Sequence, residues 1–196
     1  MKLFYLIIWL LIPLGIAAYH YGPGQKLVTK DYAQQVIDKA YASVEKEDYK
    51  EAVKLFGEAL SHLTENEKAT SRRIRLELAK ARMLNSELPK AREEMQTLIN
   101  DLTADKSTEP EHLQLLRDAR SAFANSRYYM TYLMKLEALP REYWEPEIEA
   151  ARQEYKLLAK QSTAEEQEGY TKDLEATINL ARADLDDLQG KKIPKQ

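Results

Sequence analysis

The chain has 196 residues, 6 glycines, no cysteine and a formal net charge of −3. That length allows one domain or one short array of repeats with appendages. The missing thiols exclude disulfides, thiolate metal sites, a cysteine nucleophile and a lipid-modified cysteine anchor. A slightly acidic chain without a basic stripe lacks the electrostatic footprint of nucleic-acid binding, so no nucleic-acid partner is expected.

Lys2 is followed by an apolar, uncharged run from Leu3 to Tyr19, bounded by His20 and the turn-forming Tyr21-Gly22-Pro23-Gly24. A segment apolar on every side is not a surface helix of a soluble domain. Two readings of residues 1–21 stand. As an uncleaved transmembrane anchor the run spans roughly 25 Å, a little short of a hydrocarbon core of about 30 Å. As a signal peptide it has a basic start, an apolar centre and the small residues Ala17 and Ala18 for a peptidase. Either reading leaves the start in the cytoplasm and exports the body.

Residues 22–30 read as a linker, and a helical body is expected over 31–189. Its first helix runs from about Asp31 to Lys46 on the recurrence of Tyr32, Val36, Ala40 and Val44. Asp48, spaced three residues from Glu51, caps a second helix whose buried stripe is Ala52, Val53, Phe56, Ala59, Leu60 and Leu63. Thr64 and Glu67 form the next capping pair, opening a third helix through Ile74, Leu78 and Ala81. Asn85-Ser86 ends it, and a fourth carries Ala91, Met95, Leu98, Ile99 and Leu102.

The turn 103–108 follows, with Thr108 as the expected cap of a fifth helix and Pro110 in its first turn. Asn125-Ser126 predicts a bend before a sixth helix ending at Leu139-Pro140. Pro146 is placed to open a seventh helix through Ile148, Tyr155, Leu157 and Leu158. Thr163 and Glu166 cap the last helix, where Leu174, Ile178, Ala181, Leu185 and Leu188 form a short heptad seam. The seam predicts a helix covering the exposed face of the last repeat, with a dimerising coiled coil as the alternative. Gly190 stops this helix, leaving a basic, disordered tail at 190–196. No segment alternates as a strand does.

The stretch from Asp48 to Leu60 is echoed around Leu88, with Ala91 in the place of Ala52 and Met95 in that of Phe56. A helical pattern returning after roughly 40 residues marks a helix-hairpin array, whose units stack because none buries its apolar face alone. At these residues the chain resembles the tetratricopeptide repeat (TPR) family. Tyr49, Ala52, Phe56 and Ala59 match the family's second helix, and Ala40 and Ala79 its small first-helix position. The departures are Val36 for an aromatic, Glu47 for the turn glycine, and no closing proline.

The resemblance implies an all-α, TPR-like antiparallel helix-hairpin array, or α-solenoid, with a C-terminal capping helix and an N-terminal apolar helix. It implies a protein-binding groove lined by the first helix of each hairpin, at Gln34, Ile37, Tyr41, Val44 and Glu45, then Arg73, Leu76, Lys80 and Met83. One subgroup grips chaperone C-terminal carboxylates with a Lys and an Asn, but Ile37 and Tyr41 hold those places here. A lining of mixed apolar and aromatic side chains suits a helix or extended segment of another protein.

Chemical motifs are sparse. His20, His62 and His112 form no ligand-spaced pair, and Glu109-x-x-His112 is a single copy of a motif that di-iron bundles use twice. No phosphate-cradling loop, G-x-S-x-G or zincin motif is present. Carboxylates on such helices serve as solvated faces or salt-bridge partners. Tyr128, Tyr129, Tyr132 and Trp144 lie in the densest aromatic region, either as a core knot or as a partner-binding hot spot.

The sequence thus predicts a non-catalytic bacterial scaffold without cofactor or metal. It is either tethered to the cytoplasmic membrane with its body outside, or secreted or periplasmic after cleavage. A self-associating envelope component, homodimeric through the C-terminal helix, is the alternative, and a helical metalloenzyme is the third reading.

Overall fold

The computed structural model describes residue 9 and residues 25–188, so the expected anchor or signal segment, residue 9 apart, and the basic tail lie outside these residues. Among the described residues there are eight α-helices and no strand. They are α1 (Gln25–Glu45), α2 (Tyr49–His62), α3 (Lys68–Leu84), α4 (Leu88–Asp105), α5 (Pro110–Leu136), α6 (Arg141–Gln161), α7 (Ala164–Arg182) and α8 (Leu185–Leu188). A 3-10 turn, Glu65–Glu67, precedes α3. Two compact units divide the chain between Ile74 and Arg75, within α3.

In the first unit α1 packs against α2. Ala33, Val36, Ile37 and Ala40 are buried on one face of α1, at the three- and four-residue spacings that bring side chains together on a helix. Ala52, Phe56 and Ala59 are the buried face of α2. The small residues let the two backbones approach, and Phe56 fills the space between them. The helix starts at Gln25, ahead of the expected Asp31, so much of the predicted linker is helical.

The hairpin turn closes as a Schellman motif, with Asp48 N–H donating to Ser43 O and Glu47 N–H to Val44 O, both at 2.9 Å. Its left-handed residue is Glu47, at φ 58°. As expected, Asp48 caps α2 by accepting from Glu51 N–H (3.1 Å). The Thr64–Glu67 capping box is also present.

In the second unit one core joins the end of α3 to α4 and α5. Leu76, Ala79 and Met83 meet Leu88, Ala91, Met95, Leu98 and Leu102, together with Leu115, Ala119 and Ala122. The α3–α4 turn repeats the first one, with Ser86 at φ 64° and Glu87 N–H donating to Arg82 O (2.9 Å). A second cluster holds Tyr132, Ile148, Leu180 and Leu188, and a third holds Ala124, Tyr155 and Leu158.

Several expected boundaries are corrected here. The bend at Asn125-Ser126 is absent, and α5 runs unbroken for 27 residues. Ser126 is fully buried and its hydroxyl donates to Phe123 O (2.6 Å), so its polarity is satisfied within the helix. Glu109, not Thr108, holds the N-cap position of α5, because Pro110 at N1 requires extended backbone before it. Pro146 lies inside α6, which starts at Arg141 after another Schellman turn at Ala138 (φ 53°). The C-terminal helix stops at Arg182 instead of continuing through Leu188. Ala183 is extended, and Asp187 accepts from Asp184 N–H (3.0 Å) to start α8.

Candidate functional site

The nine expected groove residues divide by burial. In the first unit Gln34, Tyr41 and Glu45 are exposed and Val44 is half-buried, and with Asp38 they form one face of α1. Gln34 Nε2 donates to Asp38 Oδ1 (2.8 Å), and the Tyr41 ring stands edge-on to Phe56 with centroids 5.3 Å apart. Ile37, only 4% exposed, lies at the buried edge of that face. Arg73 is exposed. In the second unit Lys80 is half-buried beside Glu77 (3.0 Å), whereas Leu76 and Met83, 1% and 5% exposed, are core residues. Ile37, Leu76 and Met83 are therefore not groove residues. Their apolar side chains lie on the buried stripes of α1 and α3.

The aromatic region is a core knot. Tyr132 is buried, and Tyr128, Tyr129 and Trp144 pack around it with Ile148, Leu180 and Leu188. Lys135 ties the knot together, donating to the carbonyls of Leu180 (3.0 Å) and Ala181 (3.2 Å) while its Nζ lies 4.1 Å from the centre of the Trp144 ring. This places a cation near the end of α7, where carbonyls lack helical partners. Burial pushes the Lys135 pKa down, although Asp184 opposes the shift. Burial also raises the Tyr128 and Tyr155 pKa values. Only Tyr143 of this region is widely exposed, at 57%. His112 accompanies no metal-ligand cluster among the described residues, and its Nε2 lies 3.0 Å from Leu102 O.

A cleft of about 250 Å³ opens between α4, α5 and α6 within the second unit. Ile99, Phe123, Ala124 and Ala150 supply its apolar surface, and Gln96, Arg120, Arg127 and Glu154 its polar surface. Glu147 links three helices beside it. It accepts from Arg92 Nη2 at 2.9 and 2.7 Å, and from Arg127 Nη1 at 2.9 Å. The Arg127 guanidinium also lies over the Phe123 ring, 4.6 Å from its centre. Arg120 Nε is 2.6 Å from Glu154 Oε1, an ion pair too oblique to count as a hydrogen bond.

The sequence reading places Ile99 only in a helix's apolar stripe and singles out none of the cleft's charged residues. A signal for them does exist, since Arg120 and Arg127 stand two turns apart on α5, as Glu147 and Glu154 do on α6. Two complementary stripes of that kind suit helices packed side by side.

Among the described residues no helix is long and apolar enough to cross a membrane. Comparison with protein-family models, curated proteins and solved structures finds no match for this chain.

Proposed function

We propose that the chain is a non-catalytic interaction scaffold of tetratricopeptide-repeat type that binds a peptide or helix of another protein. The observation that carries this reading is the repeated hairpin. The turns at Glu47 and Ser86 share one left-handed geometry, each followed by a helix whose buried alanine, Ala52 or Ala91, meets the preceding helix. Such units leave helix faces for partners, and the face of α1 bearing Gln34, Tyr41 and Glu45 is the surface assigned to that role. The apolar run 3–19 supports placing the scaffold at the cytoplasmic membrane with its body on the exported side.

Proximity labelling from a C-terminally tagged full-length chain in its native cell, with fractionation of the same sample, tests this. One or two envelope proteins should be enriched in the membrane fraction, and a Tyr41→Ala, Glu45→Ala variant of unchanged helicity should lose them. Labelling of the chain alone, in a shortened soluble form, would replace the scaffold with a self-assembling secreted protein. Enrichment untouched by the substitutions would remove the α1 face from the reading.

A further inference from the structure

We infer that the cleft between α4, α5 and α6 binds an acidic peptide segment, one in which two carboxylates flank an apolar residue. This adds a second binding site to the scaffold reading and rests on it. The first argument is charge. Three guanidinium groups, from Arg92, Arg120 and Arg127, are set against two carboxylates, Glu147 and Glu154, leaving a local positive excess on a chain of formal net charge −3.

The second argument is unused donor capacity. Among the described residues Arg120 approaches its acid most closely through Nε, and Arg127 hydrogen-bonds Glu147 through Nη1. A guanidinium carries five donors in a planar fork matched to carboxylates, so both arginines keep free donors beside the cleft. The half-buried setting screens them less than full solvent exposure would. Arg92 Nε is likewise buried without a hydrogen bond.

The third argument is shape. Arg120 and Arg127 are separated by roughly 10 Å along α5, with Phe123 and Ala124 between them on the same face. An extended peptide turns every second side chain to the same face. Two acids four residues apart, about 13 Å, then bracket one apolar side chain on that face, and the long arginine side chains take up the difference. Carboxylates at each end would then reach the two forks while an apolar side chain lies on Phe123 and Ile99. Stacking of Arg127 on Phe123 already holds one fork in place, which lowers the ordering cost of binding.

The test selects short random peptides on the immobilised full-length chain and measures the enriched ones by fluorescence anisotropy. Enriched peptides should carry an acid–x–apolar–x–acid pattern. Their affinity should fall about tenfold or more, with a reduced salt dependence, in an Arg120→Gln, Glu154→Gln pair that strands no charge, and in Arg127→Gln. Enrichment of neutral peptides, an empty selection, or affinity unmoved by these variants would overturn the inference. Neutral peptides lost on Tyr41→Ala would sink the cleft while leaving the scaffold standing. A chain that enriches no peptide and labels no partner would end both.

Discussion

Between α1 and α2 the buried side chains are alanines with Val36, Ile37 and Phe56, and the polar contacts stand at the edges: Tyr32 donates to Glu58 (2.6 Å), and Gln34 pairs with Asp38 along the helix. Between α4, α5 and α6 the apolar contact is joined by half-buried ion pairs, with Glu147 binding arginines from two other helices. Small residues bring helices close at little cost, so the first hairpin is stable through fit. Long side chains reaching into a half-buried interface bring charges that must then find partners. The second arrangement is the one that leaves donors over for a ligand, which is why the cleft lies there and not at the first hairpin.

The largest expected effect tests the fit of the first hairpin. Phe56 is fully buried, and Phe56→Ala should cost about 3–5 kcal/mol, because the alanines around it cannot fill the cavity. Amide exchange over α1 and α2 would report it. A loss below about 1 kcal/mol would mean that the hairpin collapses around the gap and is not held by close packing.

How much of this was legible follows from the same contrast. The helical periodicity and the caps at Asp48, Thr64 and Thr163 are local patterns, and each appears where its spacing places it. Tertiary features were not legible in this way. Asn125-Ser126 reads as a break only if Ser126 is assumed to seek water, whereas burial turns its hydroxyl back onto Phe123. Ile37, Leu76 and Met83 were placed in the groove by position within a repeat, although their apolar character suited them to the core. Arg92 and Glu147 meet across 55 residues, which no helical periodicity can reveal.

The next effect probes the polar unit. Glu147→Gln leaves Arg92 and Arg127 half-buried without their anion and should cost about 1–3 kcal/mol in urea denaturation. Glu168→Gln, which removes a largely exposed pair with Lys172, should stay within about 0.5 kcal/mol. Equal losses would erase the distinction between buttressing and surface pairs.

A smaller effect of opposite sign is expected at the α5–α6 turn. Ala138 is exposed and held at φ 53°, a conformation strained for a residue with a Cβ. Ala138→Gly relieves that strain while making the unfolded chain more flexible, for a net gain of about 0.5 kcal/mol in thermal melts. A loss instead would show that the alanine methyl makes a contact worth more than the strain.

The smallest effect lies at the end of the first unit and is read by pH. The Glu67 carboxylate accepts from Thr64 N–H (3.0 Å), and this bond holds its pKa below the usual glutamate value. A folded pKa below the unfolded one contributes stability that is fully present above the unfolded value, about 4.3, and lost as pH falls through the folded one. Glu67→Gln keeps the shape of the capping box without the charge. The variant should therefore be slightly less stable than the native chain at pH 7, and the gap should close as both are acidified below pH ~4. A gap that persists in acid would assign the box's contribution to shape and hydrogen bonding, not to ionisation. The polar terms of the first unit would then resemble its apolar ones, matters of fit rather than charge.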